Sequence, residues 1–188
     1  MSADWLSVET PQGGVLENQK EETEMTKIEL KNIKFAEFAS EETSCYQGTL
    51  YVDGKRFANV SNEGHGGSDM QHPIKPYTYR DIRKLDESIA KEYPKWGSKY
   101  GGEDEYDTNL EIVCGNLLNQ WHVDKDVKRN LKKISFVKSP DEKQVYYLGT
   151  VAQAKTHSDV IRERILRDYP KSIILNDLPI EEVRPYFS

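Results

Sequence analysis

The sequence predicts an α+β fold, in which an N-terminal antiparallel β-meander precedes helices and a C-terminal ββαβα segment in one compact domain. Strand-like alternation dominates residues 27–61, apolar positions at helical spacing dominate residues 78–121, and both patterns alternate after residue 133. Separate runs of strands and helices favour an α+β fold over a doubly wound parallel sheet. The chain length of 188 residues suits one domain with an appended segment.

Residues 1–24 differ in composition from the rest and are predicted to form a flexible acidic arm. They lack sustained periodicity, and their six acidic side chains against Lys20 account for −5 of the net charge of −6. Residues 25–188 are therefore close to neutral and are assigned to the single α+β domain. Because the acidity belongs to the arm, the folded body is not expected to mimic a polyanion.

Two features of the sequence indicate the cellular compartment. They are the two cysteines, Cys45 and Cys114, and the lack of long apolar runs. Two distant cysteines do not form a disulfide framework. No apolar run approaches the ~20 residues needed to cross a bilayer. We expect reduced thiols in the cytoplasm and no membrane contact.

The meander begins with a strand-like segment over residues 27–38. Its alternation slips near Lys31 and Asn32, which predicts a strand with a β-bulge.

Asp53-Gly54 separates two further alternating runs, residues 45–52 and 55–61. This dipeptide predicts a type I′ hairpin, because the turn needs positive φ at both central positions. The predicted register places Leu50 opposite Phe57 and Tyr51 near Arg56.

The helical part starts after a long loop predicted over residues 62–77. Thr78-Tyr79-Arg80-Asp81 resembles a capping box and predicts a helix that Pro94 ends. After a second loop, residues 95–106, Asp107 or Thr108 is predicted to cap the next helix. The remaining predictions are a short basic helix (126–132), a hairpin (134–138 and 144–151), a helix (156–169), a strand (171–175) and a short last helix (179–183).

His65, Asp69 and His72 lie in the first loop and are a candidate metal site. Imidazole and carboxylate are common ligands, and the neighbouring glycines allow the backbone to fold around an ion. With Glu63 as a base, this set points to a divalent metal and a metal-dependent hydrolase or nuclease. The alternative is an ordinary polar loop, since the spacing matches no known metal motif. Otherwise no cofactor is predicted.

Cys45 is a candidate nucleophile if His65 or His72 lies close enough to activate it. Its place in a predicted strand favours simple burial. Cys114 lies on an apolar helix stripe and is predicted to be in the core.

Basic residues concentrate between 125 and 147, close to aromatic side chains. A basic hairpin with aromatic residues can follow a phosphate backbone and stack bases. Acidic residues interrupt the patch, so a solvated surface explains it as well. The candidate nucleic-acid contacts are Lys128, Arg129, Lys132, Lys133 and Lys138.

Aromatic residues in and beside the two long loops are candidate contacts for a protein partner. Large aromatic side chains often dominate binding energy at interfaces. The candidates are Tyr77, Tyr79, Trp96 and Tyr100. The alternative for Trp96 is that it folds back onto the core.

The stretch from Ile28 to His72 carries Tyr51-Val-Asp-Gly-Lys55 followed by Asn62-Glu-Gly-His-Gly-Gly67. It resembles small uncharacterised proteins of bacteriophages and bacterial mobile elements, over about a quarter of the chain. The resemblance implies a phage accessory protein that binds and disables a host protein. With no strong catalytic constellation in the sequence, we expect a non-enzymatic protein that binds, and inhibits, a host bacterial protein.

Overall fold

An antiparallel four-stranded sheet begins the fold, in the strand order β1-β2-β3-β4. The structure, a computed structural model, describes residues 25–97 and 105–187. The predicted arm, residues 1–24, and Tyr100 lie outside these ranges. The strands of this sheet are β1 (Ile28–Phe35), β2 (Tyr46–Val52), β3 (Lys55–Asn62) and β4 (Met70–Pro73).

The remaining elements are helices and a second, smaller sheet, so the predicted α+β class is confirmed. The helices are α1 (Tyr79–Glu92), α2 (Leu110–Asn130), α3 (Val151–Thr156), α4 (Ser158–Asp168) and α5 (Ile180–Val183). The second sheet has the order β6-β5-β7 and consists of β5 (Ile134–Val137), β6 (Tyr146–Leu148) and β7 (Ile173–Ile174).

The β2–β3 hairpin has the predicted turn. Asp53 has a φ of 48° and Gly54 a φ of 76°, as a type I′ turn requires. The predicted bulge in β1 is also confirmed, because the register shifts between Lys31 and Lys34 and Asn32 has a φ of 56°.

The hairpin register is only partly as predicted. Tyr51 pairs with Arg56, but Leu50 pairs with Ala58, so the predicted Leu50–Phe57 pair is wrong. An irregularity between Leu50 and Tyr51 leaves Phe57 as the extra residue on β3. It lets the consecutive residues Phe57 and Ala58 both be buried.

Strand β4 lies inside the segment that the sequence predicts as one loop, residues 62–77, and this part of the prediction is wrong. Met70 pairs with Ser61 and Pro73 with Ala58. The Ile74 N–H donates to the Phe57 carbonyl at 2.9 Å. Because the backbone N–H groups of consecutive strand residues point to opposite sides, the nitrogen of Pro73 faces away from β3, toward the open edge of the sheet. A proline is tolerated at this position because a backbone nitrogen that faces the open edge donates no hydrogen bond to a neighbouring strand.

Helices α1 and α2 cover one face of the first sheet and close the first core. The Asp81 carboxylate accepts hydrogen bonds from the Thr78 N–H at 2.9 Å and hydroxyl at 2.7 Å, so the predicted capping box is confirmed. The most deeply buried large side chains of this first core include Leu50, Ile89 and Leu110.

Helix α2 begins and ends later than predicted. Asn109 is its N-cap and accepts from the Ile112 N–H at 2.9 Å, whereas the Thr108 hydroxyl donates to the Pro94 carbonyl. No separate basic helix covers residues 126–132, because α2 continues through Asn130. Val127, fully buried, anchors this extension in a second core.

The second sheet has buried residues on both of its faces. All four residues of β5 are buried. Ile134 and Phe136 pack with Ile161 and Ile165 of α4, while Val137 packs with residues of α2 and α5. A buried strand between two helical layers explains why its sequence, Ile-Ser-Phe-Val, shows little alternation.

The C-terminal elements follow the predicted order with shifted boundaries. Strand β6 is shorter than predicted. The predicted helix 156–169 corresponds to α4, whereas α3, which ends at Thr156, was not predicted. Thr150 and Gln153 form a capping box at the start of α3. Thr150 therefore begins a helix, although the sequence prediction included it in the strand 144–151.

Helices within the described ranges are all too short or too polar to cross a membrane.

Glu92 joins the end of α1 to the start of the first sheet, and its titration should affect stability. Its carboxylate accepts hydrogen bonds from the Ser88 hydroxyl and, at 3.0 Å, from the Thr26 N–H, and these bonds lower the pKa of Glu92. A carboxyl with a lowered folded-state pKa stabilises the fold above its unfolded pKa, and this contribution disappears as the pH falls through the folded pKa.

We therefore expect Glu92→Gln to lower the free energy of unfolding at neutral pH, with the difference from wild type vanishing well below the ordinary pKa of 4.5. Urea denaturation of both proteins at neutral and acidic pH measures this difference in the free energy of unfolding. Glu87→Gln, an exposed position of the same helix, is the matched control and should show no such pH-dependent difference. Equal pH profiles for both variants would contradict the assignment.

Candidate functional site

Two segments that are distant in sequence hold each other at one end of the first sheet. We call residues 37–44 the acidic turn. The carbonyl of Gly64 accepts the N–H groups of Glu41 at 3.1 Å, Glu42 at 2.9 Å and Thr43 at 3.3 Å. One carbonyl therefore fixes three consecutive residues of the acidic turn.

The side chain of Asn62 is the centre of this arrangement and is buried at the end of β3. Its oxygen accepts from the Thr43 hydroxyl at 2.8 Å and the Gly64 N–H at 2.9 Å. Its amide nitrogen donates to the Gly67 carbonyl at 2.8 Å and to Asp69 at 3.1 Å. All four hydrogen-bonding positions of the amide are therefore satisfied.

Tyr46 contributes the second anchor of Asp69. Its buried hydroxyl donates to the Asp69 carboxylate, and burial, followed by this hydrogen bond, raises the pKa of Tyr46 far above its ordinary value. The phenol therefore remains a neutral donor at physiological pH. The nearby Cys114 is fully buried in the first core, as predicted, and this burial raises the pKa of its thiol to about 12.

A cleft of about 510 Å³ opens between the acidic turn, the 62–69 loop and the first half of α2. Four carboxylates line it: Glu41, Glu42, Asp69 and Glu111. Glu111 reaches from α2 and accepts the Asp69 N–H at 3.3 Å. The cleft is thus open and acidic.

Phe38 projects from the acidic turn into solvent. The residue is 94% exposed, more than any other large apolar residue in the described ranges. The turn beneath it is held by Ser40, whose hydroxyl donates to the Ala36 carbonyl at 3.0 Å and accepts the Cys45 N–H at 2.8 Å. An apolar ring is therefore presented on a hydrogen-bonded support, with exposed carboxylates beside it.

The structure does not bring His65, Asp69 and His72 together. The His65 imidazole lies 3.2 Å from the Glu41 carboxylate, whereas that of His72 lies 3.1 Å from the Tyr79 hydroxyl. Asp69 is held by Tyr46 and Asn62. Across residues 25–97 and 105–187, no group of three His, Cys, Asp or Glu side chains is placed to hold a metal ion.

Cys45, the candidate nucleophile, is half-buried at the base of the acidic turn. It lines a pocket of about 430 Å³ together with Glu63 and His65. The His65 imidazole contacts Glu41.

The three candidate aromatic contacts that the structure describes, Tyr77, Tyr79 and Trp96, do not form one surface. Tyr77 packs on Phe57 with ring centroids 4.7 Å apart and is partly buried against the core. Tyr79 begins α1 and Trp96 follows its end, so a helix about 20 Å long separates these two exposed residues. Trp96 also forms an isolated backbone bridge with Tyr106.

The candidate basic residues divide into two sets. Lys128, Arg129 and Lys132 line one groove on α2 with Trp121, which the sequence prediction omitted. Lys138 lies over the Tyr146 ring at 3.9 Å, and Lys133 lies over the Tyr147 ring at 5.7 Å. The helical spacing of Trp121, Lys125 and Lys128 was the signal that could have placed the indole with the lysines.

Comparison with known proteins finds no matching family model, no matching curated protein and no matching solved structure.

Proposed function

We propose that this chain is a non-enzymatic protein-binding module, and that Phe38 inserts into an apolar pocket of the partner. The exposure of Phe38 is the observation that carries the proposal. A solvent-exposed phenylalanine gains the full benefit of burial only on binding, and large aromatic anchors contribute a large share of interface energy.

The hydrogen bonds of the acidic turn support this role, because they restrict the turn before a partner arrives. Gly64 fixes three of its N–H groups, and Ser40 closes its base. Restricting a loop in its bound conformation reduces the ordering entropy lost on association. The turn is therefore better suited to presenting a side chain than a mobile loop of the same composition.

The charges around Phe38 favour a basic partner surface. Glu37, Glu41 and Glu42 are exposed on the acidic turn, and Asp69 and Glu111 extend the negative charge into the cleft. Complementary charge accelerates association and makes it sensitive to salt. We infer that the partner presents an apolar pocket bordered by lysine or arginine.

The resemblance of residues 28–72 to phage and mobile-element proteins supports a host bacterial protein as the partner, with inhibition in the cytoplasm as the outcome. The separate contacts of His65 and His72 favour binding over a metal-dependent hydrolase that would use these residues.

Phe38→Ala should weaken the partner complex by about 2 kcal/mol or more, roughly 30-fold in Kd, as expected for loss of an aromatic anchor. The stability of the free protein should change by less than about 0.5 kcal/mol, because the ring makes few contacts in the fold. The first step is photo-crosslinking in a bacterial lysate with a photoreactive phenylalanine at position 38. Titration of the purified crosslinked partner then gives the affinities.

Tyr147→Ala is the matched control, since Tyr147 is an exposed aromatic residue (43%) on the second sheet. It should leave the affinity unchanged. The proposal fails if position 38 yields no more crosslinked protein than position 147, or if both variants bind the purified partner as wild type does.

A further inference from the structure

The second half of α2 carries a groove whose charge is opposite to that of the cleft at its first half. Trp121, Lys125 and Lys128 follow one another at spacings of four and three residues and therefore share one helix face, and Lys132, two residues past the end of α2, lines the same groove. We call this the lysine groove. Its volume is about 420 Å³, and its lining residues are Trp121, Asp124, Lys125, Lys128, Arg129 and Lys132.

The lysine groove has a net positive charge, because Asp124 is the one carboxylate among its lining residues and is already paired. Arg184 binds Asp124 through two hydrogen bonds of 2.6 and 3.1 Å. Arg129 lies 2.9 Å from Asp126.

The three lysines have no such partner in the part of the chain that the structure describes. None of Lys125, Lys128 and Lys132 lies within salt-bridge distance of a carboxylate there. About three positive charges thus line one groove, which favours an anionic ligand.

Trp121 supplies a planar apolar surface at one end of the groove. Its indole is half-buried and packs against the first core, and the His122 ring meets it edge-on with centroids 4.9 Å apart. The Lys125 ammonium lies over the face of this ring, 5.1 Å from its centroid, so stacking of a base requires the flexible lysine side chain to turn off the ring toward a phosphate. A positioned aromatic ring beside cations is the arrangement with which proteins hold unpaired bases and their phosphates.

We propose that the lysine groove binds a short segment of single-stranded nucleic acid, with phosphates on Lys125, Lys128 and Lys132 and one base stacked on Trp121. The groove extends along about 12 Å of helix, from Trp121 to Arg129, which suits only a few nucleotides. A duplex keeps its bases stacked on each other, so it cannot use the indole. This site is separate from the acidic turn and does not depend on the proposed function.

Fluorescence anisotropy of the full chain with a labelled ten-residue oligothymidylate, at several salt concentrations, tests the proposal. Three phosphate contacts predict a slope of about −2 for log K against log salt, and Lys128→Gln should reduce its magnitude by about 0.7. Trp121→Leu should weaken binding about tenfold with the slope unchanged, whereas Trp121→Phe should retain most of the affinity. Circular dichroism confirms that each variant is folded.

Lys91→Gln, an exposed helical lysine outside the groove, is the charge-matched control and should bind as wild type does. Phe38→Ala should also leave this affinity unchanged. The proposal is overturned if binding does not depend on salt, or if Lys91→Gln and Lys128→Gln behave alike. It is equally overturned if polyglutamate competes as well as unlabelled oligothymidylate, or if a duplex of equal length binds more tightly.

Discussion

Gly64→Ala should destabilise the protein by about 4 kcal/mol, through backbone strain plus a clash that cannot relax locally. Gly64 has a φ of +90°, and a Cβ at this position would lie 2.0 Å from the Ala39 carbonyl oxygen. That oxygen belongs to the backbone of the acidic turn, so relief of the clash requires the two segments to separate. The hydrogen bonds that three N–H groups of the turn donate to the Gly64 carbonyl would then be lost as well. Urea denaturation measures the change in free energy of unfolding.

Two neighbouring glycines are controls that separate strain from the clash. Gly66 has a φ of +86°, but an added Cβ would meet the end of the flexible Glu42 side chain, so Gly66→Ala should cost only about 1–2 kcal/mol. Nothing lies within 4 Å of a Cβ added at Gly67, and Gly67→Ala should be nearly neutral. Equal losses at all three positions would show that the contact with Ala39 is not what makes Gly64 necessary.

Local signals in the sequence correctly predicted those elements whose geometry depends on neighbouring residues. Asp53-Gly54 predicts its turn because two adjacent residues adopt positive φ, and Thr78 with Asp81 predicts a helix start because both partners lie within one turn. Strand β4 had no comparable signal. Its four residues, Met-Gln-His-Pro, have little strand propensity, and pairing with β3 decides their conformation.

The candidate site shows the same division between local and long-range information. The sequence drew attention to the 62–72 loop, but the partners of Asn62 and His65 include Thr43 and Glu41, about twenty residues earlier. Only the folded sheet brings these segments together. Phe38 was missed for a related reason. It ends an alternating run that predicts a strand through residue 38, whereas β1 ends at Phe35 and the ring of Phe38 lies in solvent.

Asn62→Asp should lower the free energy of unfolding by about 3 kcal/mol or more at neutral pH, although the two side chains have nearly the same shape. The amide nitrogen donates to the Gly67 carbonyl and to the Asp69 carboxylate, and a carboxylate oxygen in its place would face two acceptors. A buried charge beside another carboxylate, without a donor to compensate it, incurs a large desolvation and repulsion penalty.

The pH dependence identifies this cause. Burial and the nearby Asp69 should raise the pKa of the introduced carboxyl in the folded state above its unfolded value. The loss of stability should then be greatest at neutral pH and should shrink as the pH falls toward the unfolded-state pKa, because protonation restores one donor.

Asn59→Asp is the matched control for this prediction, because Asn59 is exposed on the same strand. It should change stability by less than about 0.5 kcal/mol at any pH. A deficit for Asn62→Asp that stays constant between neutral and acidic pH would mean that charge is not its origin. The donor role of the Asn62 amide would then be insufficient to explain how the 62–69 loop and the acidic turn are held together.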